Sequence, residues 1–261
     1  MNFQPIILEG FEGREEALAR VQRYIHFITP LMFYRTNDLI HSRRVLWHLE
    51  AVIPDILTVY GDSFDINFAR TLALVHDDVE IITNDIPVHD KENMSAEERE
   101  VFHRAESEAV DKLVEMYGSI ANGYNYSELL NASKEKSKLE AQLVSYCDKL
   151  DGLGEAFHEV SAGNQHFLLP SGGKDGKKGG YVRRINDFPT KYPVMARFFE
   201  RFPDYLPKPF DFKSTAEKGF PHTKSSLEID SGYPQYERWK RTVMKREGIE
   251  LLITQLEFNP I

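Results

Sequence analysis

Residues 76–87 read His76-Asp77-Asp78-Val79-Glu80-Ile81-Ile82-Thr83-Asn84-Asp85-Ile86-Pro87, and this stretch decides how the chain is read. A histidine beside an aspartate joins imidazole nitrogen to carboxylate oxygen, a donor pair suited to a borderline divalent ion. His76 comes four residues after Leu72, in a segment where Phe68, Leu72 and Val75 recur at helical spacing, so it points inward near a helix end. Asp65 is the expected N-cap of that helix.

Upstream, a helix is predicted over 39–59, with Val45, Leu49, Val52 and Ile56 forming one stripe. His41 lies one turn before Val45 on the same face. An earlier helix is predicted over 15–33, where Leu18, Val21, Ile25 and Ile28 recur. Downstream, Ser95-Ala96-Glu97-Glu98 reads as a capping box opening a helix through Tyr117. After a connector over 118–126, one long helix is predicted from Ser133 towards Val160, carrying Asp148. No convincing strand appears in this first part, so the fold is expected to be all-α.

Residues 171–180 (SGGKDGKKGG) punctuate the chain and predict a solvated loop. They lack the glycine before Lys-Ser or Lys-Thr that a phosphate-cradling P-loop needs. Beyond them prolines and aromatics crowd, and a final amphipathic helix is expected over 236–256. The organisation expected is a helical domain over 1–170 and a helical and irregular extension over 171–261, packed on the core.

Composition narrows the classes. Of 261 residues 32 are basic and 41 acidic, giving a net charge of -9, the wrong sign for a general binder of nucleic acid polymers. No apolar run reaches the roughly eighteen residues a membrane span needs, and no signal peptide is evident. The single cysteine, Cys147, reads as a small buried hydrophobe and fits a reducing, cytoplasmic setting.

The ordered set His41, His76-Asp77 and Asp148 resembles the HD-domain superfamily of metal-dependent phosphohydrolases, which implies a helical bundle with ligands drawn from separate helices. Residues 76–87 are similar to the H-D-x-x-E-x-x-T-x-D-x-P run of the bacterial 5′-deoxynucleotidases. Arg35-Thr36-Asn37-Asp38-Leu39-Ile40-His41-Ser42 resembles that family's R-T-E-N-x-x-E-H-S, one residue shorter and without the glutamate. Asp148 followed by Glu159-Val160-Ser161-Ala162-Gly163-Asn164 resembles its metal aspartate and the helix end beyond it.

The resemblance implies His41, His76, Asp77 and Asp148 as ligands of one divalent transition metal ion (Mn, Co, Ni, Fe or Zn). It implies Glu80 and Asp85 as catalytic carboxylates, with Asp85 also near the scissile phosphate and Arg35 as a substrate contact. The family's arginine–aromatic pair has no counterpart in residues 26–34. The expected activity is removal of phosphate from nucleoside 5′-monophosphates, deoxynucleotides foremost, by attack of a metal-activated water. The alternatives are hydrolysis of another nucleotide, such as an alarmone or a di- or triphosphate, or a non-catalytic helical domain sensing metal or nucleotide. His48 and His103 are expected outside the ligand set, His48 as a satisfied core histidine or as one that supports a ligand from behind. The nucleotide is the expected partner, and the C-terminal helix offers a face for a homodimer.

Overall fold

A computed structural model describes residues 8–24, 36–86, 91, 93–168, 180–219 and 230–243. Among these the fold is all-α apart from one two-stranded hairpin. Three helices hold its centre: α2 (Asp38–Tyr60), α3 (Ile66–Val75) and α7 (Leu139–Ser161), each packed on the other two. The stripe Val45, Leu49, Val52 and Ile56 is fully or almost fully buried in this contact. Asn37 caps α2 by accepting from Ile40 N at 3.0 Å, and Asp65 caps α3 by accepting from Phe68 N at 3.0 Å. Each side chain satisfies a backbone donor that the first helical turn leaves orphaned.

The first predicted helix is corrected. α1 (Arg14–Arg20) stops because the chain turns back on itself: Val21 O accepts from Asp38 N, and Arg23 N donates to Thr36 O at 3.2 Å. Residues 25–33 of that prediction lie outside the described residues. The doublet follows α3 in a tight turn, and a four-residue helix α4 (Glu80–Thr83) carries on from it. The predicted capping box forms at the start of α5 (Ala96–Tyr117), with Glu98 and Ser95 bonding reciprocally.

The connector contains a hairpin, β1 (Ile120–Ala121) with β2 (Tyr124–Asn125), antiparallel in the register Ile120↔Asn125 and Ala121↔Tyr124. Its signal was Asn122-Gly123, both at positive φ (48° and 85°), as a two-residue turn between antiparallel strands requires. The long helix predicted from Ser133 is instead two. α6 (Tyr126–Glu135) ends at Lys136, whose φ of 53° breaks the helix, and α7 begins afresh at Leu139.

The later segments pack on α7. These are α8 (Tyr181–Asn186), α9 (Phe188–Lys191), α10 (Pro193–Arg201), α11 (Phe212–Lys218) and α12 (Pro234–Thr242). Their aromatics interlock around Phe157, which meets Phe210, Phe212, Tyr233 and Tyr236 at centroid distances of 4.6–5.5 Å. α7 makes room for two more by lacking side chains. A Cβ on Gly152 would stand 2.4 Å from Tyr181, and one on Gly154 2.0 Å from Trp239. No described helix is long and apolar enough to cross a membrane.

Candidate metal centre

α2, the end of α3 and α7 bring His41, His76, Asp77 and Asp148 to one point. His41 Nε2 lies 3.3 Å from Asp148 Oδ1 and 3.5 Å from Asp77 Oδ2, and His76 Nε2 lies 3.2 Å from the same Asp77 oxygen. The imidazoles form a buried floor and the carboxylates face the opening: side-chain exposure is 0% and 4% for the histidines, against 19% and 29% for Asp77 and Asp148. Each ring is fixed from behind. His41 Nδ1 is 2.8 Å from Asp151 Oδ2, and His76 Nδ1 donates to Ala73 O at 2.9 Å. Both Nδ1 atoms therefore carry the hydrogen, and both Nε2 lone pairs face inward without a hydrogen-bond partner.

Two buried, unpaired acceptors at one point are costly unless something cationic is shared between them. Ligands about 2.1 Å from one ion at right angles stand about 3.0 Å apart, close to the separations seen. The electrostatics agree. Burial and Arg23 oppose positive charge on His41, yet the carboxylates of Asp148 and Asp151 outweigh them and raise its pKa to about 10, so the place in front of Nε2 is one that a proton fills when no other cation does. The pocket selects positive charge, and its donor set fits a divalent transition ion.

The two proposed catalytic carboxylates stand beside this set. Glu80 lies with Asp38 and Asp77, ligand atoms within 4.8 Å of one another. Burial and then the neighbouring charges of Asp77, Asp38 and Asp85 push the Glu80 carboxyl well above its usual range. Lys91 is 4.0 Å away. Asp85 accepts from Tyr24 N at 3.4 Å, which ties it to the turn after α1. Arg35 lies outside the described residues, as do 26–34 and the lysines of 171–179.

Another arginine, passed over in the sequence, is here instead. Arg23 NH1 is 3.9 Å from both Asp38 Oδ1 and Asp77 Oδ2, while its Nε donates to Glu155 Oε2 at 3.1 Å. With Tyr24 beside it, Arg23 forms an arginine–aromatic pair just upstream of the stretch where one was sought. Tyr24 OH shares a hydrogen bond with Tyr181 OH at 3.1 Å. Glu155 also binds Arg44 at 2.9 Å and the Thr36 hydroxyl. Lys149 Nζ stands 3.3 Å from Asp148 Oδ2. Close by, burial and Lys149 lower the pKa of Lys136 to about 8.

Sequence reading also missed Asp151 and Glu155, although Asp148, Asp151 and Glu155 follow i, i+3, i+7, one face of a helix. His48 lies behind the site with Nε2 3.6 Å from Asp151 Oδ1. His103 pairs with Glu106 at 3.1 Å on the exposed face of α5. Cys147 is fully buried, and burial pushes its thiol pKa up.

A family model described as 5′-deoxynucleotidase YfbR-like matches residues 19–172, more than half of the chain. None of the curated proteins matches. Among solved structures, a conserved hypothetical protein from Pyrococcus furiosus aligns with a TM-score of 0.54 at 20% identity, covering 73% of this chain and 94% of its own. A predicted metal-dependent phosphohydrolase from Magnetospirillum magnetotacticum MS-1 aligns with a TM-score of 0.48 at 19% identity, covering 75% and 92%.

Proposed function

Because the chain belongs to the 5′-deoxynucleotidase YfbR-like family of HD phosphohydrolases, we propose that it removes phosphate from nucleoside 5′-monophosphates, with deoxynucleotides preferred. The observation that carries this reading is the convergence of two buried, unpaired imidazole nitrogens with two carboxylates. His41, His76, Asp77 and Asp148 would hold one divalent ion. When bound, such an ion supplies positive charge to phosphate oxygens and lowers the pKa of a coordinated water.

The chain's own side chains do the rest. Arg23, anchored by Glu155, presents a guanidinium to an incoming phosphate without having to be ordered first. Lys149 and Lys136 add positive charge beside Asp148 in a protein that is acidic overall. Hydrolysis needs one group to take a proton from the attacking water and another to give one to the leaving 5′ oxygen. In this reading Glu80 and Asp85 share these two roles. Tyr24 and Tyr181 form the aromatic wall that would meet the sugar.

Phosphate release from ribo- and deoxynucleoside mono-, di- and triphosphates, in chelator and with Mn, Co, Ni, Zn or Mg restored, tests the reading. Ion-dependent release from monophosphates, faster for deoxynucleotides, is expected. Release confined to di- or triphosphates, or none with the ion bound, would refute it.

A further inference from the structure

We propose that Trp239 is a positioning residue for His41, so that the segment after residue 180 sets the metal affinity of the centre. The inference rests on His41 being a ligand. The indole Nε1–H of Trp239 donates to Asp151 Oδ1 at 2.7 Å, and the other oxygen of the same carboxylate is 2.8 Å from His41 Nδ1. All three side chains are buried, Asp151 and His41 completely.

An ionised carboxylate only accepts, so Asp151 fixes the His41 hydrogen on Nδ1 and leaves the Nε2 lone pair for an ion. Which way Asp151 faces decides whether it can do so. The indole occupies Oδ1 and leaves Oδ2 to the imidazole. His48 Nε2 stands 3.6 Å from the same Oδ1, against 2.7 Å for the indole nitrogen, so Trp239 makes the closer bond to that oxygen.

The approach of Trp239 is built into α7. Gly154 leaves the gap that the indole fills, since a Cβ there would stand 2.0 Å from Trp239 Cδ1 and 2.1 Å from Cγ. These atoms sit at the root of the ring, where turning the indole about its Cβ–Cγ bond leaves Cγ in place and cannot relieve the clash. The ring is held on its other sides by Tyr236, stacked at 5.8 Å and 15°, and by the Arg44 guanidinium 5.5 Å from its centre. Trp239 lies outside residues 19–172, so this support is an addition to the part of the chain that the family model matches.

The test is a titration of chelator-stripped full-length protein with Co(II), read by its visible absorption, which reports coordination directly. Trp239→Phe keeps an aromatic ring and removes the N–H. It is expected to weaken Co(II) binding about 10-fold or more, the range seen when a partner behind a metal-bound histidine is lost. Asp151→Asn should weaken it at least as much, and the double variant should bind no worse than Asp151→Asn alone, because both act through one chain of bonds. Wild-type affinity in Trp239→Phe, or losses that multiply in the double variant, would overturn the proposal. If Trp239→Phe does not fold, the wild-type protein answers: the indole N–H resonance of Trp239, one of two tryptophans, should shift as Zn(II) is titrated, and an unmoved signal overturns it. Absence of any metal binding by the wild type would instead bring down the metal-centre reading, and this inference with it.

Discussion

Asp77 and Asp78 are chain neighbours whose carboxylates face opposite sides of the turn after α3. Asp77 meets His41 and His76 in the site, whereas Asp78 is fully buried against Arg14, with Oδ1 2.6 Å from NH2 and Oδ2 2.7 Å from Nε. Tyr126 OH donates to the same Asp78 carboxylate at 2.6 Å. One aspartate thus serves the site and the other ties α1 and α6 to the end of α3. Asp77→Ala should abolish metal binding and leave a folded protein. Asp78→Ala strands a buried guanidinium and should cost about 3–5 kcal/mol. Urea denaturation beside metal titration checks both, and equal destabilisation by the two changes would contradict the division.

Glu80→Gln should keep the ion and lose turnover. On the proposed reading Glu80 exchanges a proton and is not one of the four ligands, so phosphate release should fall about 100-fold or more. Metal content and kcat measured on the same preparation decide it. A fully active variant would remove Glu80 from the chemistry.

In an exposed helix, Gly→Ala stabilises by about 1 kcal/mol. In α7 the sign should reverse at Gly154, where the added methyl meets the root of the Trp239 indole and overpacking should cost about 1–3 kcal/mol. Gly152→Ala meets only the far end of the Tyr181 ring, which can swing aside by breaking its hydrogen bond to Tyr24. That variant should lose less stability and show a raised KM. Thermal melts and steady-state kinetics of the two variants separate the effects.

His158 makes a pH-dependent contribution. It is buried on α7, with Nδ1 2.5 Å from the Tyr236 hydroxyl. Burial, then the charges of Arg44 and Lys240, push its pKa down to about 3, from about 6.5 in an open chain. The unfolded chain therefore binds a proton that the folded chain refuses. This penalty is absent above about pH 6.5 and grows towards pH 3, by up to about 1.4 kcal/mol per pH unit. His158→Gln should lose stability less steeply than the wild type between about pH 6.5 and 4. Parallel curves in urea titrations would contradict it.

What the sequence made legible was local. Helix caps at Asp65 and Ser95 depend on residues three apart, and the stripe from Val45 to Ile56 depends on one helix alone. The proposed ligands announced themselves because a histidine–aspartate doublet is chemically conspicuous. The groups that orient them did not, because their partners are distant: Trp239 and Asp151 are 88 residues apart, Arg23 and Glu155 132. Arg23 was hidden by a helical pattern that continues through Val21 and Ile25, although the backbone bonds from Asp38 and Arg23 end the helix before it. Gly152 and Gly154 carry no signal of their role in α7 without the rings opposite them, which come from residues 181 and 239. The break at Lys136 was equally silent, since a left-handed lysine has no signature in composition.

The most direct measurement is anomalous scattering at the metal edge from crystals soaked in Mn or Co. The account predicts one dominant peak within coordinating distance of His41 Nε2, His76 Nε2, Asp77 and Asp148. A dominant peak elsewhere, or none at these four side chains under conditions that support phosphate release, would contradict it.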